Sequence, residues 1–481
     1  MEIEDLKEKT VAVLGYGVEG KAVTAYLLKH GIRPVLFDEK PWEQWPADQQ
    51  EAIKKLEINF IFGPSYLEEL GAVAIAFRSP GVPRLHPKLL EWEQKGLQIT
   101  SQTKWFFEHC PAKIIGVTGT KGKGTTSALL YEILSANKFE VLNSKFETNP
   151  KDEIPNTAPN TYLTGNIGDT QPLEILDNLQ ADDYIVYELS SFQLQDLTQS
   201  PHLAVVLMVT QEHLDYHTSL EEYHKAKTAI SKYQNQGDTI IYNIDYPATK
   251  QLGQMSPGMH IPLSTQQILE QGSYRDGQDL KIKNIGGQNF SIPISNVGLT
   301  GSHNLENVLA AMAAAAKLSV KPNTIEQTIQ TFKGLPNRLE LVADKSGIYF
   351  YNDSFSTTPE TAIAAINSFS EPEIVILGGS GKNSDFSALG KTIVTKDTIK
   401  AIIFIGPEAA RIEEAITKAG TFPGQMLRGA QTMAEIFNQI KQLAVTGDVV
   451  LLSPACASFG MFKNYKDRGE QFKDCATNYS V

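Results

Sequence analysis

Lys113-Ile-Ile-Gly-Val-Thr118, running directly into Gly119-Thr-Lys-Gly-Lys-Gly-Thr125, is the stretch on which the fold of this chain turns. The first six residues are mostly apolar and read as a strand buried on both faces. Gly119, Gly122 and Gly124 mark a tight loop, and Ser127, Leu129, Leu130, Ile133 and Leu134 then recur at helical spacing. A loop between a strand and a helix turns backbone N–H groups and the helix N-terminus toward a phosphate, and Lys123 adds a point charge. The strict phosphate-loop pattern is not met, because Gly124 follows Lys123 and the spacing is shorter. Taken alone, the same residues also describe an exposed turn carrying lysines, so the rest of the chain has to decide.

Working outward toward the N-terminus, Val11-Ala-Val-Leu14 reads as a strand that enters Gly15-Tyr-Gly-Val-Glu-Gly20. A helical pattern follows through Ala22, Val23, Tyr26 and Leu27, and Pro34-Val-Leu-Phe37 ends at Asp38. This is a βαβ unit with a glycine-rich first turn, a weak dinucleotide fingerprint by itself. Val73–Phe77 is another short strand, closing on Ser79-Pro80-Gly81. Toward the C-terminus, strands are expected at Tyr184–Glu188 and Leu203–Thr210, hairpins and loops over Gly253–Thr300, and an alanine-rich helix at Leu305–Leu318. A third set follows Gly334-Leu-Pro336, with strands at Ile348–Asn352, Ile374–Leu377, Ala401–Ile405 and Val449–Leu452. Strands alternating with helices predict mostly parallel sheets. The expectation is three α/β domains over 1–111, 112–333 and 334–481.

A chain of 481 residues exceeds one hydrophobic core. Its 43 Lys and Arg against 55 Asp and Glu, net charge −12, argue against a nucleic-acid surface, which needs a basic footprint. Cys110, Cys456 and Cys475 show no metal or redox spacing, which suits a reducing compartment. The opening Met1-Glu-Ile-Glu-Asp-Leu6 lacks the apolar run of a signal peptide, and no segment approaches the roughly 18 apolar residues of a membrane span. A cytoplasmic protein without membrane partners is expected.

Gly116-Val-Thr-Gly-Thr-Lys-Gly-Lys-Gly-Thr-Thr126 resembles the shortened ATP loop of the Mur ligase and folylpolyglutamate synthase superfamily, its ending closer to the folate branch. The later strings resemble the Mur ligase family, in particular its glutamate-adding branch. They are Gly165-Asn-Ile-Gly168, Glu188-Leu-Ser-Ser-Phe-Gln-Leu194, Glu212-His-Leu-Asp215, Gly301-Ser-His-Asn304, Gly334-Leu-Pro-Asn-Arg338, Asn352-Asp-Ser354, Gly378-Gly-Ser-Gly-Lys382 and Leu451-Leu-Ser-Pro-Ala-Cys-Ala-Ser458. They occur in family order and span nearly the whole chain.

The resemblance implies an ATP-dependent amide ligase joining glutamate to UDP-N-acetylmuramoyl-L-alanine through an acyl phosphate, acting as a monomer. It implies a Rossmann-like N-terminal domain holding the uridine diphosphate part at Gly17, Val18, Glu19, Asp38, Ser79 and Gly81, with Asn166 and Ser190 also touching that substrate. A central P-loop ATPase-type domain would bind ATP through Gly119, Thr120, Lys121, Gly122, Lys123, Gly124, Thr125, Thr126 and Asn304, and a Rossmann-like C-terminal domain through Arg338 and Asp353. Lys123, Glu188, His213 and Lys227 would be catalytic. Thr125, Glu188, His213 and Lys227 would hold Mg²⁺, the last as a CO₂-derived carbamate, with Lys225 as the register alternative. Glutamate would meet Thr357, Lys382, Ser458 and Tyr465. Read as residues alone, Glu188 at a strand's carboxyl end and His213 beyond the next strand suit a metal bridging phosphates, whereas Lys227 on a helix reads first as solvated.

One position departs from the family. Members commonly carry a lysine after Asp-Ser, and here Asn352-Asp-Ser354 is followed by Phe355-Ser-Thr-Thr-Pro359. A missing cation bears on recognition of a dicarboxylic acid, so D-glutamate is the expectation and L-glutamate stays open. A folylpolyglutamate synthase would not explain the N-terminal nucleotide domain. An NAD-dependent oxidoreductase would explain only residues 11–38, and a non-catalytic UDP-sugar-binding regulator would not need Lys123, Glu188, His213 and Lys227.

Overall fold

Four-residue apolar runs bounded by glycine are too short to bury themselves, so they become central strands covered by helices. The computed structural model describes residues 1–148, 159–167, 170–210, 219–299, 301–381 and 384–480, and these form three sheets. His213 and Lys382 lie outside the described residues. The first sheet contains β1 (Val11–Leu14), β2 (Val35–Asp38), β3 (Phe60–Phe62), β4 (Ile75–Arg78) and β5 (Gln98–Thr100). Their order is β3-β2-β1-β4-β5 and every pair is parallel. The strand order reverses between β1 and β4, so a crevice opens beyond their carboxyl ends. The helix Val18–Lys29 starts at that crevice, and Gly20 lets it approach the strand turn. A Cβ there would lie 2.0 Å from the Gly15 carbonyl oxygen.

The second sheet contains β6 (Lys113–Thr118), β7 (Thr161–Gly165), β8 (Tyr184–Glu188), β9 (Leu203–Val206), β10 (Thr239–Asn243), β11 (Met259–Ser264), β12 (Gly272–Asp276), β13 (Asp279–Ile285) and β14 (Gln288–Pro293). The order is β14-β13-β12-β11-β10-β9-β6-β8-β7. Pairing is parallel from β7 through β12 and antiparallel in the β12-β13-β14 meander, where the sequence expects hairpins. The expected strand Leu203–Thr210 leaves the ladder after Val206, because its polar groups turn to other partners. The Met208 carbonyl accepts from the Thr120 N–H at 2.6 Å, and the Met208 N–H donates to Glu306 at 2.7 Å.

The third sheet contains β15 (Glu340–Lys345), β16 (Ile348–Asn352), β17 (Glu373–Gly378), β18 (Ile399–Ile405), β19 (Gln425–Leu427) and β20 (Val449–Leu452). Its order is β15-β16-β20-β17-β18-β19, parallel except for β15. Strands β16, β20 and β17 therefore deliver three adjacent carboxyl ends to one edge.

The chain divides into two compact units, Met1–Asn296 with Leu305–Ile329, and Val297–Asn304 with Gln330–Val481. Within the first unit, one apolar cluster runs from Val11, Phe77 and Trp105 of the first sheet's layer to Ile114, Ile185 and Tyr187 of the second. At that junction Arg78 meets Asp196 at 2.5 Å, with only 1% and 3% of the side chains exposed. Arg84 adds a 3.3 Å contact to the same carboxylate. In the second unit, β16, β17, β18 and β20 are covered on one side by Phe437 and Phe472 and on the other by Leu389 and Ile412. No helix among the described residues is long and apolar enough to cross a membrane.

Truncating one partner of a buried ion pair strands the other charge. Asp196→Ala is therefore expected to cost on the order of 3–5 kcal/mol, read as a lower urea midpoint for the transition of the first unit. Leu→Ala at exposed Leu85 serves as the near-neutral control.

Candidate functional site

The loop after β6 takes its shape from glycine. Gly122 sits at φ +84°, and a Cβ there would come within 2.1 Å of Asn307 Oδ1 on the helix Asn304–Lys317. The loop therefore lies directly on that helix. Helix Lys123–Thr148 begins inside the motif, so the N–H groups of its first turn face the loop mouth. Lys123 folds back, its Nζ donating to the carbonyls of Gly119 and Thr120, each at 3.0 Å. The Thr120 hydroxyl is tied to the segment after β9 and to Tyr223, accepting from the Thr210 N–H at 2.9 Å and lying 3.0 Å from the Tyr223 hydroxyl. The Thr126 hydroxyl donates to Asn307 at 3.3 Å. Thr125 is half-buried in the first turn.

One further group touches this loop and another stands on the strand paired beside β6. Glu188, at the carboxyl end of β8, is 2% exposed, and its Oε1 accepts from Asn166 Nδ2 at 3.3 Å. Gly165 permits this approach, since at φ +99° a Cβ would lie 2.3 Å from the Glu188 carbonyl oxygen. Lys227 is 1% exposed, and its Nζ donates to Thr118 Oγ1 and the Gly119 carbonyl, both at 3.3 Å, with the Tyr223 ring 4.9 Å away. Lys225 is exposed, so the inward lysine of this helix is Lys227. Burial, with the Lys227 charge beside it, holds His224 below the ordinary imidazole range.

Among the described residues no three His, Cys, Asp or Glu side chains gather as a metal cage. The buried carboxylate of Glu188 suits Mg²⁺, which keeps waters and phosphate oxygens and takes one or two carboxylates from protein.

The crevice of the first sheet is a cavity of about 330 Å³ lined by Gly15, Gly17, Val18, Glu19, Asp38, Glu39, Tyr66 and Ser79–Val82. Asp38 accepts the Tyr16 N–H at 2.7 Å and the Lys40 N–H at 2.9 Å, so one oxygen braces the glycine turn and the other holds the turn that follows β2. The Ser79 hydroxyl donates to the Gly15 carbonyl at 2.8 Å. Burial pushes the Glu19 carboxyl up to about 7, while the hydrogen bond from Gln193 and the Arg78 charge pull the other way. Gln193 Nε2 donates to Glu19 Oε1 at 2.9 Å, and Gln193 forms a capping box with Ser190, two residues beyond Glu188. The crevice and the end of β8 are thus joined by one hydrogen-bonded chain. A larger hollow of about 640 Å³ runs along edge strand β5. Its His109 is committed to the carbonyls of Trp105 and Met1.

In the second unit, Arg338, Asp353, Thr357, Ser458 and Tyr465 lie on segments at or beyond the carboxyl ends of β16 and β20, or beside them. Asp353 is withdrawn from the surface. It accepts from Ser453 Oγ at 2.7 Å, from the Ser356 hydroxyl, and from the Leu339 N–H at 3.1 Å. Through these bonds Asp353 braces two loops. Asn304 is buried at the start of its helix. Arg468, which sequence reasoning passed over, is fully buried, and its guanidinium donates to Ser354 Oγ at 2.9 Å and to the Ser354 carbonyl at 2.8 Å. Asn307, Tyr223 and Gln193 were also passed over. Only Gln193 carried a local signal, the Ser-x-x-Gln spacing of a capping box.

Comparison with known proteins adds to this geometry. The chain is similar over residues 117–315 to the Mur ligase middle domain, over 337–456 to the Mur ligase glutamate ligase domain, and over 9–101 to the MurD-like N-terminal domain. A UDP-N-acetylmuramoylalanine–D-glutamate ligase of Acetivibrio thermocellus is 35% identical over 473 residues, 98% of this chain and 96% of that one. One of the same name from Clostridium tetani is 34% identical over 472 residues, covering 98% and 97%. Among solved structures, the UDP-N-acetylmuramate–alanine ligase MurC of Thermotoga maritima matches with a TM-score of 0.57 at 15% identity, covering 97% of this chain and 99% of that one. MurF ligase of the same organism, in complex with ADP, matches at 0.55 and 16% identity, covering 100% and 97%. These structural likenesses speak to the fold.

Asp353 gives the second unit a pH dependence of known sign. Burial raises its carboxyl from 3.8 to about 6, against the pull of Ser356, Ser453, the Leu339 N–H and Arg338. Between those values the folded chain holds the proton and the unfolded chain has lost it, so stability falls as pH rises to about 6 and is level above. The expected contribution is on the order of 3 kcal/mol. Urea midpoints of wild type and Asp353→Asn compared across this range should differ by that slope.

Proposed function

Because the chain belongs to the Mur ligase family, we propose that it joins D-glutamate to UDP-N-acetylmuramoyl-L-alanine with hydrolysis of ATP to ADP and phosphate, in the cytoplasm. The observation that carries this reading is the end-to-end likeness to ligases of that name. The convergence of Lys123 and Lys227 on one glycine loop, with Glu188 on the strand paired beside β6, supports it. In this reading residues 1–111 hold the uridine diphosphate, 112–333 hold ATP, and 334–481 receive the amino acid, and the chain works as a monomer.

The alanine carboxylate attacks the γ-phosphorus in line and ADP departs, leaving an acyl phosphate. The glutamate amine then attacks the acyl carbon and loses a proton, and the tetrahedral intermediate expels phosphate to leave the amide. Lys123 and the first turn of its helix offset charge on the phosphates, and Arg338 addresses the phosphoryl oxygens as their charge grows. Glu188, Thr125, His213 and a carbamate on Lys227 would hold Mg²⁺, which when bound lowers the repulsion between nucleophile and triphosphate. The buried Nζ of Lys227 beside the Gly119 carbonyl supports that assignment. Asn166 and Ser190 orient the muramoyl end near Glu188. Thr357, Lys382, Ser458 and Tyr465 receive glutamate.

Purified protein given ATP, Mg²⁺ and UDP-N-acetylmuramoyl-L-alanine is expected to release phosphate only when D-glutamate is added. Release with L-glutamate alone would retain the chemistry and overturn the stereochemistry, and silence with both would overturn the substrate. Lys123→Ala is expected to lower the rate roughly 10²- to 10³-fold, the scale for removing one fixed charge from developing negative charge.

A further inference from the structure

Arg338 is presented by a backbone that other residues hold under strain. Asn337 and Leu339, on either side of it, sit at φ +64° and +45°, a region that leucine rarely enters. Such positions cost of order 1–3 kcal/mol each and persist only where the surroundings over-determine them. Here they do. Asn337 Oδ1 accepts from buried Asn352 Nδ2 at 3.0 Å, and the Asn337 N–H donates to Glu340 at 2.9 Å. Gly469 closes against the same amide, for a Cβ on it would lie 1.7 Å from Asn337 Oδ1. The Leu339 N–H donates to Asp353 at 3.1 Å, and the Asn337 carbonyl accepts from the Phe355 N–H at 3.0 Å.

That last bond lays Phe355 beside Arg338. The guanidinium carbon stands 4.0 Å from the centre of the Phe355 ring, and Tyr465 meets the ring edge-on at 5.1 Å. Tyr465 is fixed in turn, since its carbonyl accepts from Ser354 Oγ at 2.8 Å and Arg468 clasps Ser354 from below the loop. The Arg338 charge acts on Asp353 through space, but among the described residues its guanidinium makes no hydrogen bond or close ion pair with a carboxylate or a carbonyl. A planar guanidinium held by its face keeps its N–H edge for an oxyanion.

We propose that Phe355 is a positioning residue: its ring holds the plane of the Arg338 guanidinium so that the donor fork meets the oxyanion of the phosphoryl group in transit. This rests on the ligase reading given above. It also assigns a task to the position where the sequence replaces a lysine. A second cation at 355 would repel Arg338, whereas a ring orients it, so the positive charge of this corner is carried by Arg338.

The test is steady-state kinetics on the full chain with ATP, UDP-N-acetylmuramoyl-L-alanine and D-glutamate. Phe355→Leu keeps an apolar side chain but removes the ring. It should lower kcat and kcat/KM for ATP together, by a few-fold to about 30-fold, while the KM for glutamate moves less than about twofold. Phe355→Trp should restore most of the rate. In an Arg338→Ala background, Phe355→Leu should cost nothing further. Wild-type kinetics in Phe355→Leu, or an undiminished loss in the Arg338→Ala background, overturns the proposal. Absence of turnover in the wild type would instead count against the ligase reading. NMR of arginine-labelled protein then decides independently: Arg338 side-chain signals displaced by the ring should return to ordinary positions in Phe355→Leu and stay displaced in Phe355→Trp. Signals unchanged by Phe355→Leu overturn the stack.

Discussion

Two opposite charges taken out of water, Arg78 and Asp196, hold the first two sheets in one arrangement. Removing both from solvent costs several kcal/mol per ion, and only close geometry with further hydrogen bonds offsets it. Arg78 meets that demand by also donating to the carbonyl of Val82 at 2.5 Å and of Phe192 at 3.3 Å. The first carbonyl belongs to the loop that lines the crevice of the first sheet and the second to the segment following Glu188. Neither segment can shift alone without leaving a buried guanidinium donor unsatisfied. The hydrogen-bonded chain from Glu19 through Gln193 to Ser190 depends on that fixed spacing.

The same economy governs the glycine loop. It has few side chains of its own, so its shape comes from what presses on it: Asn307 against Gly122, Tyr223 against Thr120, and Lys227 against the Gly119 carbonyl. Those contacts come from two helices far apart in sequence, Asn307 from Asn304–Lys317 and both Tyr223 and Lys227 from Leu220–Lys227, which makes the loop a shared surface of strand ends and helices. Parallel sheets put such surfaces at the carboxyl ends of strands because their crossovers return on the other side. In the second unit the ends of β16, β20 and β17 do the same, and the buried Arg468 and Asp353 tie the first two together.

The second unit also shows strain placed where geometry matters. Positive φ at Asn337 and Leu339 flanks Arg338, and the buried Asn352–Asn337 contact holds that backbone in place. A guanidinium ordered in advance does not lose side-chain entropy on meeting an anion.

By itself the sequence determined the α/β class, the parallel character of the sheets and the glycine loops at 15–20 and 119–125, because these follow from short-range pattern: β-type apolar runs, glycine at tight turns, helical spacing after them. It also marked Glu188 as a strand-end carboxylate. The three-residue strands β3, β5 and β19 escaped, being too short to show a period. What only the tertiary structure decided are relations between residues far apart. Lys227 rather than Lys225 turns inward, Asp353 and Asp38 brace loops, Arg78 and Arg468 are buried, and Phe355 stacks on Arg338. A charged side chain looks the same in sequence whether it faces water or a buried partner. Its role is set by desolvation and by the partner's distance, and both exist only after the chain has folded.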